Sequence, residues 1–238
     1  MPLPLAKDLY GTGRGHLAVI IGTGPSISHA VRNVMEPNPN VLRIALNDAI
    51  ATIPAEYWFW IDGDAYLRQK DHPNARKAVK VGVEHFQHLY EPSVYVWERC
   101  LKDLAGDLEK GNLVHRSTSL IGAISFAMRL GCFRAVTVGC DNRVSEEQIV
   151  AREKTDPSKN WRDIYTFTFA RINEAIANRK KWLPDDFALV DASFRKDTLE
   201  HGALLLPKTT LARELALLRE FKEWESKRRL SYGGALGA

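Results

Sequence analysis

The chain has only three cysteines, Cys100, Cys132 and Cys140, and no two of them form a C-x-x-C pair. That scarcity excludes a disulfide-stapled scaffold and a cysteine-based zinc site, and it suits a reducing compartment, so a cytoplasmic location is expected. No apolar run approaches the roughly 20 residues needed to cross a bilayer. The N-terminal MPLPLAKDLY lacks the apolar stretch of a signal peptide. There is no G-x-S-x-G elbow and no H-E-x-x-H helix, which removes the commonest serine-hydrolase and zinc-protease chemistries. Charge of one sign is also scarce. A formal +4 at pH 7 suits an anionic small molecule and leaves nucleic acid as a minor option.

With 238 residues and 45% hydrophobic content, the chain can bury one large core. Apolar runs alternate with helical patterns: LAVII (17–21), VLRIAL (41–46), YWFWI (57–61), SVYVW (93–97), AVTVGCD (135–141) and FALVDAS (187–193) read as strands. The expected class is α/β, a Rossmann-like, mostly parallel sheet with helices on both faces. One nucleotide-binding domain is expected over 1–210, followed by an amphipathic helix and frayed tail over 211–238. Residues 68–80 read as a charged, solvated helix or loop. Residues 142–164 are polar without clear periodicity and read as a long excursion, a lid or a surface loop.

The most informative stretch is the turn after the first strand, Gly22-Thr23-Gly24-Pro25-Ser26. Glycines at 22 and 24 permit positive φ and leave main-chain N–H groups open to an anion, while Pro25 suits the first position of a helix whose positive dipole end faces the turn. A phosphate is the natural guest. The dinucleotide fingerprint fails at its third glycine, where Ile27 stands, and the Walker ending is absent. An ordinary strand-turn-helix packing device is the alternative.

Acids close several strands: Asp48 after the second, Asp62 and Asp64 after the third, Asp141 after Gly139. In a parallel sheet these lie at the carboxyl edge, where ligands bind. Asp48 falls at the distance from the turn where a ribose-binding acid is found. Asp62 and Asp64 are the magnesium candidates, and Asp62, Asp64 and Asp141 the candidate catalytic acids; loop acids and helix caps are the alternative.

In VHRSTSLIG (114–122), Ser117, Thr118 and Ser119 precede a helix and are candidates for capping it or for holding an anion at its N-terminus, with Arg116 as a further anion contact. His85 and His88 are a candidate metal pair or plain surface residues, and His201 a candidate base or a plain loop residue. The C-terminal helix carries Leu218, Phe221 and Trp224 as a possible oligomer contact and a basic face that would suit an acidic partner.

Taken in order, VIIGTGPSI, ALNDAI, PAEYWFWIDGD and STSLIGAISFAMRLGCFRAVTVGCD resemble the Rossmann-like family that contains archaeal hydroxymethylpterin diphosphokinase and the cores of motility-associated flagellin glycosyltransferases, with the G-x-G-P-S bacterial sialyltransferases as relatives. The resemblance spans about residues 17–141, with HGALLLP (201–207) as a closing loop. It implies a nucleotide at the carboxyl edge, with Gly22, Thr23, Gly24, Pro25 and Ser26 by its phosphates. Asn47, Thr118 and Ser119 match donor-contacting places of the sialyltransferases, and Asp62 matches the magnesium-binding acid of the diphosphokinases. The sialyltransferases have a catalytic histidine near position 166, and this chain has none there.

These readings combine into an expected nucleotide-dependent transferase, glycosyltransferase-like, using a CMP- or UDP-sugar and an acceptor that no motif identifies. The alternatives are an ATP-dependent diphosphokinase acting on a small hydroxymethyl compound, and a non-catalytic nucleotide-binding protein. Magnesium is the expected cofactor.

Overall fold

The computed structural model describes residues 3–36, 38–97, 113, 118–141, 146–195, 200–201 and 204–233. Among them, seven strands form one sheet: β1 (Leu17–Ile21), β2 (Val41–Leu46), β3 (Tyr57–Trp60), β4 (Val79–Val83), β5 (Tyr95–Trp97), β6 (Arg134–Val138) and β7 (Ala188–Asp191). Their order is β5-β4-β3-β2-β1-β6-β7, and every pairing is parallel. The helices are α1 (Ile27–Met35), α2 (Ala49–Thr52), α3 (Gly63–Gln69), α4 (Pro73–Lys77), α5 (Ser119–Arg129), α6 (Glu146–Thr155), α7 (Trp161–Ala177) and α8 (Leu211–Gly233). A two-stranded ribbon, β8 (Phe194–Arg195) with β9 (Glu200–His201), lies apart from the sheet.

Strand residues alternate between two apolar cores. Ala18, Ile20, Tyr57 and Phe59 face the core built with α5 and α7, whereas Leu17, Val19, Ile21, Trp58 and Trp60 face the core built with α2, α3, α4 and α8. A strand buried on both faces needs apolar residues at every position, which is why LAVII and YWFW are continuous runs rather than alternating ones. The α/β, Rossmann-like class is therefore the observed one.

The strand order carries the main functional consequence. The chain runs outward from β1 to β5 and then returns to lay β6 on the other side of β1. The chain leaves β1 into α1 on one face of the sheet and leaves β6 toward α7 on the other, which makes the carboxyl ends of β1 and β6 the switch point of the sheet.

Three expectations need correction. The charged stretch 68–80 holds the end of α3, all of α4 and the start of β4; the strand was hidden by Lys80, which is buried with its Nζ 2.8 Å from Glu91. Within 142–164, residues 146–155 form α6 and α7 begins at Trp161, while 142–145 lie outside the described residues. Leu218 is core, packed with Leu211 against the sheet, so it is not part of an exposed contact face. Phe221 stacks on Phe133 at 5.2 Å, and Trp224 is exposed.

Candidate functional site

A cavity of about 710 Å³ opens at the carboxyl edge of the sheet, over the ends of β1 and β6. Its floor is the turn Gly22, Thr23 and Gly24 together with Gly139, Cys140 and Asp141. Leu46, Asn47, Ile61 and Asp62 extend it along the ends of β2 and β3, and Thr118, Ser119 and Leu120 bring the N-terminus of α5 to its edge. The remaining wall comes from α6 and α7, through Ala151, Thr155, Tyr165, Thr168, Phe169 and Ile172. A smaller cavity of about 220 Å³ lies beside β2 and α8, away from the strand ends.

The glycine turn is built differently from the expected anion cradle. Neither Gly22 nor Gly24 has positive φ; among the described glycines of this region only Gly139 does, at 65°. The N–H of Gly22 is donated to the Val138 carbonyl (2.8 Å) and that of Gly24 to the Gly139 carbonyl (2.7 Å). Ser26 donates both its N–H (3.2 Å) and its hydroxyl (2.8 Å) to Oδ2 of Asp141. These donors are therefore committed inside the protein. The glycines are required by close approach instead: a Cβ at Gly22 would stand 2.4 Å from the Gly139 oxygen, and one at Gly24 would stand 2.0 Å from Asp141 Oδ2. What the turn holds is the end of β6. Pro25 and Ser26 precede α1, which begins at Ile27, and neither lines the cavity.

The end of β6 is braced from behind as well. Cys140 donates its N–H to the Ser193 hydroxyl at 3.0 Å, and the Ser193 N–H is donated to Asp191 Oδ1 at 3.1 Å. Asp191, wholly buried, also accepts from the Thr137 hydroxyl and from Lys208 Nζ, each at 2.7 Å. Asp141 is itself buried, and desolvation raises its carboxyl pKa against the lowering effect of the Ser26 hydrogen bonds. Burial likewise pushes the Cys140 thiol well above its ordinary value, and the Cys132 thiol up to about 12, so neither is a ready nucleophile.

Asn47 is the described non-glycine residue with positive φ, at 47°. Asparagine tolerates this left-handed geometry better than most residues. The strain is held by three bonds: its N–H to the Phe59 carbonyl (3.1 Å), its carbonyl from Trp58 Nε1 (2.8 Å), and its Oδ1 from the Ser119 hydroxyl (3.0 Å). The end of β2 is thereby tied to the start of α5. Thr118 caps α5 by accepting the Ile121 N–H at 3.3 Å. The first N–H groups of a helix have no intrahelical partner and carry the positive end of its dipole, and here they border the cavity.

The other candidate acids separate. Asp62 lies on the cavity, exposed, and caps α3 by accepting the Asp64 N–H at 3.1 Å. Asp64 lies in the first turn of α3, outside the cavity lining. Asp48 turns away to Arg68 (2.9 and 3.2 Å) and Gln69 (2.9 Å). Among the described residues no group of three or more His, Cys, Asp or Glu could hold a metal ion. The donor set fits a magnesium ion only if phosphate oxygens complete it, since Asp62 is the accessible carboxylate on the cavity. His85 and His88 are exposed in a short 3₁₀ segment, and the His201 side chain, Arg116, Ser117 and Cys100 lie outside the described residues. The stretch expected as a lid or loop is helical and supplies part of this wall, and the aromatic spacing in WRDIYTFTF is the sequence signal for the rest.

Among the described residues, no Lys, Arg or His lines the cavity. No helix among them is long and apolar enough to cross a membrane.

No protein-family model matches the chain, and no curated protein matches it in sequence. In structure it is similar to the MAf glycosyltransferase from Magnetospirillum magneticum AMB-1, with a TM-score of 0.50 and 13% sequence identity over 92% of this chain. The match covers 43% of that protein, so this chain spans less than half of its length. At such an identity the likeness establishes a shared Rossmann-like fold.

Proposed function

We propose that the chain is a nucleotide-dependent transferase of glycosyltransferase type, whose donor occupies the cavity over the ends of β1 and β6. The observation that carries this reading is the position of the cavity: it lies at the switch point of an all-parallel sheet with the N-terminus of α5 on its edge. A volume of about 710 Å³ is of the size that small-molecule and cofactor sites have. The structurally similar protein bears the name of a glycosyltransferase, which agrees with the reading.

In this proposal the donor phosphate sits at the N-terminus of α5, beside Thr118, Ser119 and Thr23. The positive end of the helix dipole supplies attraction at a lining on which no lysine or arginine is described. The ribose lies toward Asn47 and Asp62. As the bond from sugar to phosphate oxygen breaks, negative charge grows on that oxygen, and fixed N–H dipoles favour the transition state over the ground state. Asp62 is the exposed carboxylate suited to take the acceptor's proton, or to share a magnesium ion with the phosphates; a bound ion would neutralise charge on the leaving group. Asp141 acts through structure in this account, by anchoring Ser26 and the turn.

A second reading, ATP-dependent diphosphate transfer, is favoured by the exposed Asp62 carboxylate on a lining without described cations, an arrangement that suits a magnesium-bound nucleotide. Product analysis separates the two. Incubation with CMP- and UDP-sugars should release CMP or UDP, whereas AMP formation from ATP with a hydroxymethyl acceptor would favour the second. Nucleotide binding without turnover of either kind would leave a binding protein and overturn both.

A further inference from the structure

The outer wall of the cavity differs in kind from its floor. Tyr165 and Phe169 border it from α7, one helical turn apart, with ring centroids 6.1 Å from each other and planes 27° apart. Trp161 continues the series a turn earlier, 6.0 Å from Tyr165. Its indole N–H is fixed to the Asp156 carbonyl at 3.0 Å. Residues at i and i+4 share a helix face, so the three rings form one ladder that enters the cavity at its inner end. Tyr165 is half-buried, and Phe169 packs against the core beneath, which holds the ladder in place. Leu46 and Ile61 add apolar surface from the strand ends.

The chemistry of the lining says what such a wall is for. Two carboxylates border the cavity, and its described wall on α7 is aromatic. A flat apolar ring gains affinity by stacking, which every nucleobase can do because each has a π face. A sugar ring meets an aromatic face through its C–H groups instead, a contact that leaves the ring protons of a base unshifted, and the ladder's inner end adjoins α5, against which α7 packs. The base would then lie on the same side as the phosphate position.

We propose that Tyr165 and Phe169 form the base-binding wall of the cavity, stacking on the nucleobase of the bound nucleotide, with Trp161 as the brace that fixes Tyr165. This rests on the nucleotide reading given above and extends it to the part of the site that supplies affinity. Stacking is tolerant of base identity, so selection among bases falls to hydrogen bonds from the strand ends.

The test compares wild type, Tyr165→Phe and Tyr165→Leu in calorimetric titrations of the full chain with CMP, UDP, ADP and ATP in the presence of magnesium. Tyr165→Phe keeps the ring and should retain wild-type affinity, whereas Tyr165→Leu should lose about tenfold, the scale of one lost base–aromatic stack. In proton spectra of the nucleotide that binds, the base ring signals should move upfield with wild type and Tyr165→Phe, and less with Tyr165→Leu. Equal affinity and equal shifts in all three proteins would overturn the stacking role while leaving the nucleotide site standing. Equal loss in Tyr165→Phe and Tyr165→Leu would assign the effect to the hydroxyl and overturn it too. If wild type binds none of the nucleotides, the functional reading itself falls. Should Tyr165→Leu fail to fold by circular dichroism, Phe169→Leu is titrated in its place with the same expected loss.

Discussion

Oδ2 of Asp141 stands where a β-carbon on residue 24 would have to go, 2.0 Å from that point, with the Gly139 carbonyl oxygen 2.7 Å away. The two residues lie far apart in sequence, and the contact locks the loop after β1 onto the loop after β6. Gly24→Ala should therefore destabilise the protein by about 1–3 kcal/mol, the usual range for overpacking. Denaturant unfolding of Gly24→Ala, Asp141→Ala and the double variant should show a double variant less destabilised than the sum of the singles. Strict additivity would mean that the carboxylate does not limit residue 24.

Ser26 supplies the hydrogen bonds that keep Asp141 ionisable in its buried position. Removing the hydroxyl in Ser26→Ala deprives a buried carboxylate of a close donor, and such bonds to charged groups contribute about 1.5–3 kcal/mol. A loss of that size in urea unfolding at neutral pH is expected, and a loss under a few tenths would show that the main-chain N–H suffices.

The pH dependence has a definite sign. Burial raises the Asp141 carboxyl above its ordinary value of 3.8, so the folded chain holds this proton more tightly than the unfolded chain. Its contribution to stability is complete below 3.8 and is lost as pH rises through the raised value. Asp141→Asn removes the titration, so wild type should lose stability relative to Asp141→Asn as pH rises from below that point toward neutrality. A difference that stays constant with pH would contradict the burial argument.

Asn47 tests a different kind of strain. At φ of 47°, alanine should cost about 1–2 kcal/mol in backbone strain, in addition to the lost bond from Ser119. Asn47→Gly removes the strain while losing the same side-chain bond, so it should be the less destabilised of the two in thermal unfolding. The reverse order would mean that the chain relaxes out of the left-handed geometry.

Buried and exposed ion pairs should separate cleanly. Asp191 is fully buried and the partly exposed Lys208 sits 2.7 Å from it; truncating Lys208 to alanine leaves Asp191 with its Thr137 and Ser193 donors and should cost about 1.5–3 kcal/mol. Arg76 and Asp71, both largely exposed, should contribute at most about 1 kcal/mol. Matched melting curves of Lys208→Ala and Arg76→Ala decide the point.

Much of this architecture can be read in the residues. LAVII and VLRIAL mark β1 and β2 to the residue: LAVII is buried throughout and leaves an uninterrupted apolar record, while VLRIAL keeps five apolar residues around Arg43, which pairs with Glu56. VKVGV did not stand out, because its lysine is neutralised by Glu91, a partner outside the strand. The GTGPS turn was recognisable as special, yet its reason was not: close approach to Gly139 and Asp141 is a tertiary fact that no local pattern records. Thr118, Ser119, Asn47 and Asp62 do reach the cavity, whereas Asp48 is drawn off by Arg68 and Gln69 of α3. The aromatic wall is not legible in the sequence, because the spacing of Tyr165 and Phe169 equally suits a core-facing helix and their rings face a cavity that exists only once α6 and α7 close over the sheet edge.

The most direct test of the nucleotide site is a calorimetric titration of the full chain with CMP, UDP, ADP and ATP, each with and without magnesium. The account expects saturable binding of at least one of them, strengthened by magnesium if Asp62 shares the ion with phosphate, and weakened by a bulky Ser119→Trp substitution at the N-terminus of α5. Absence of binding to all four under both conditions, in a protein that unfolds cooperatively, would contradict it.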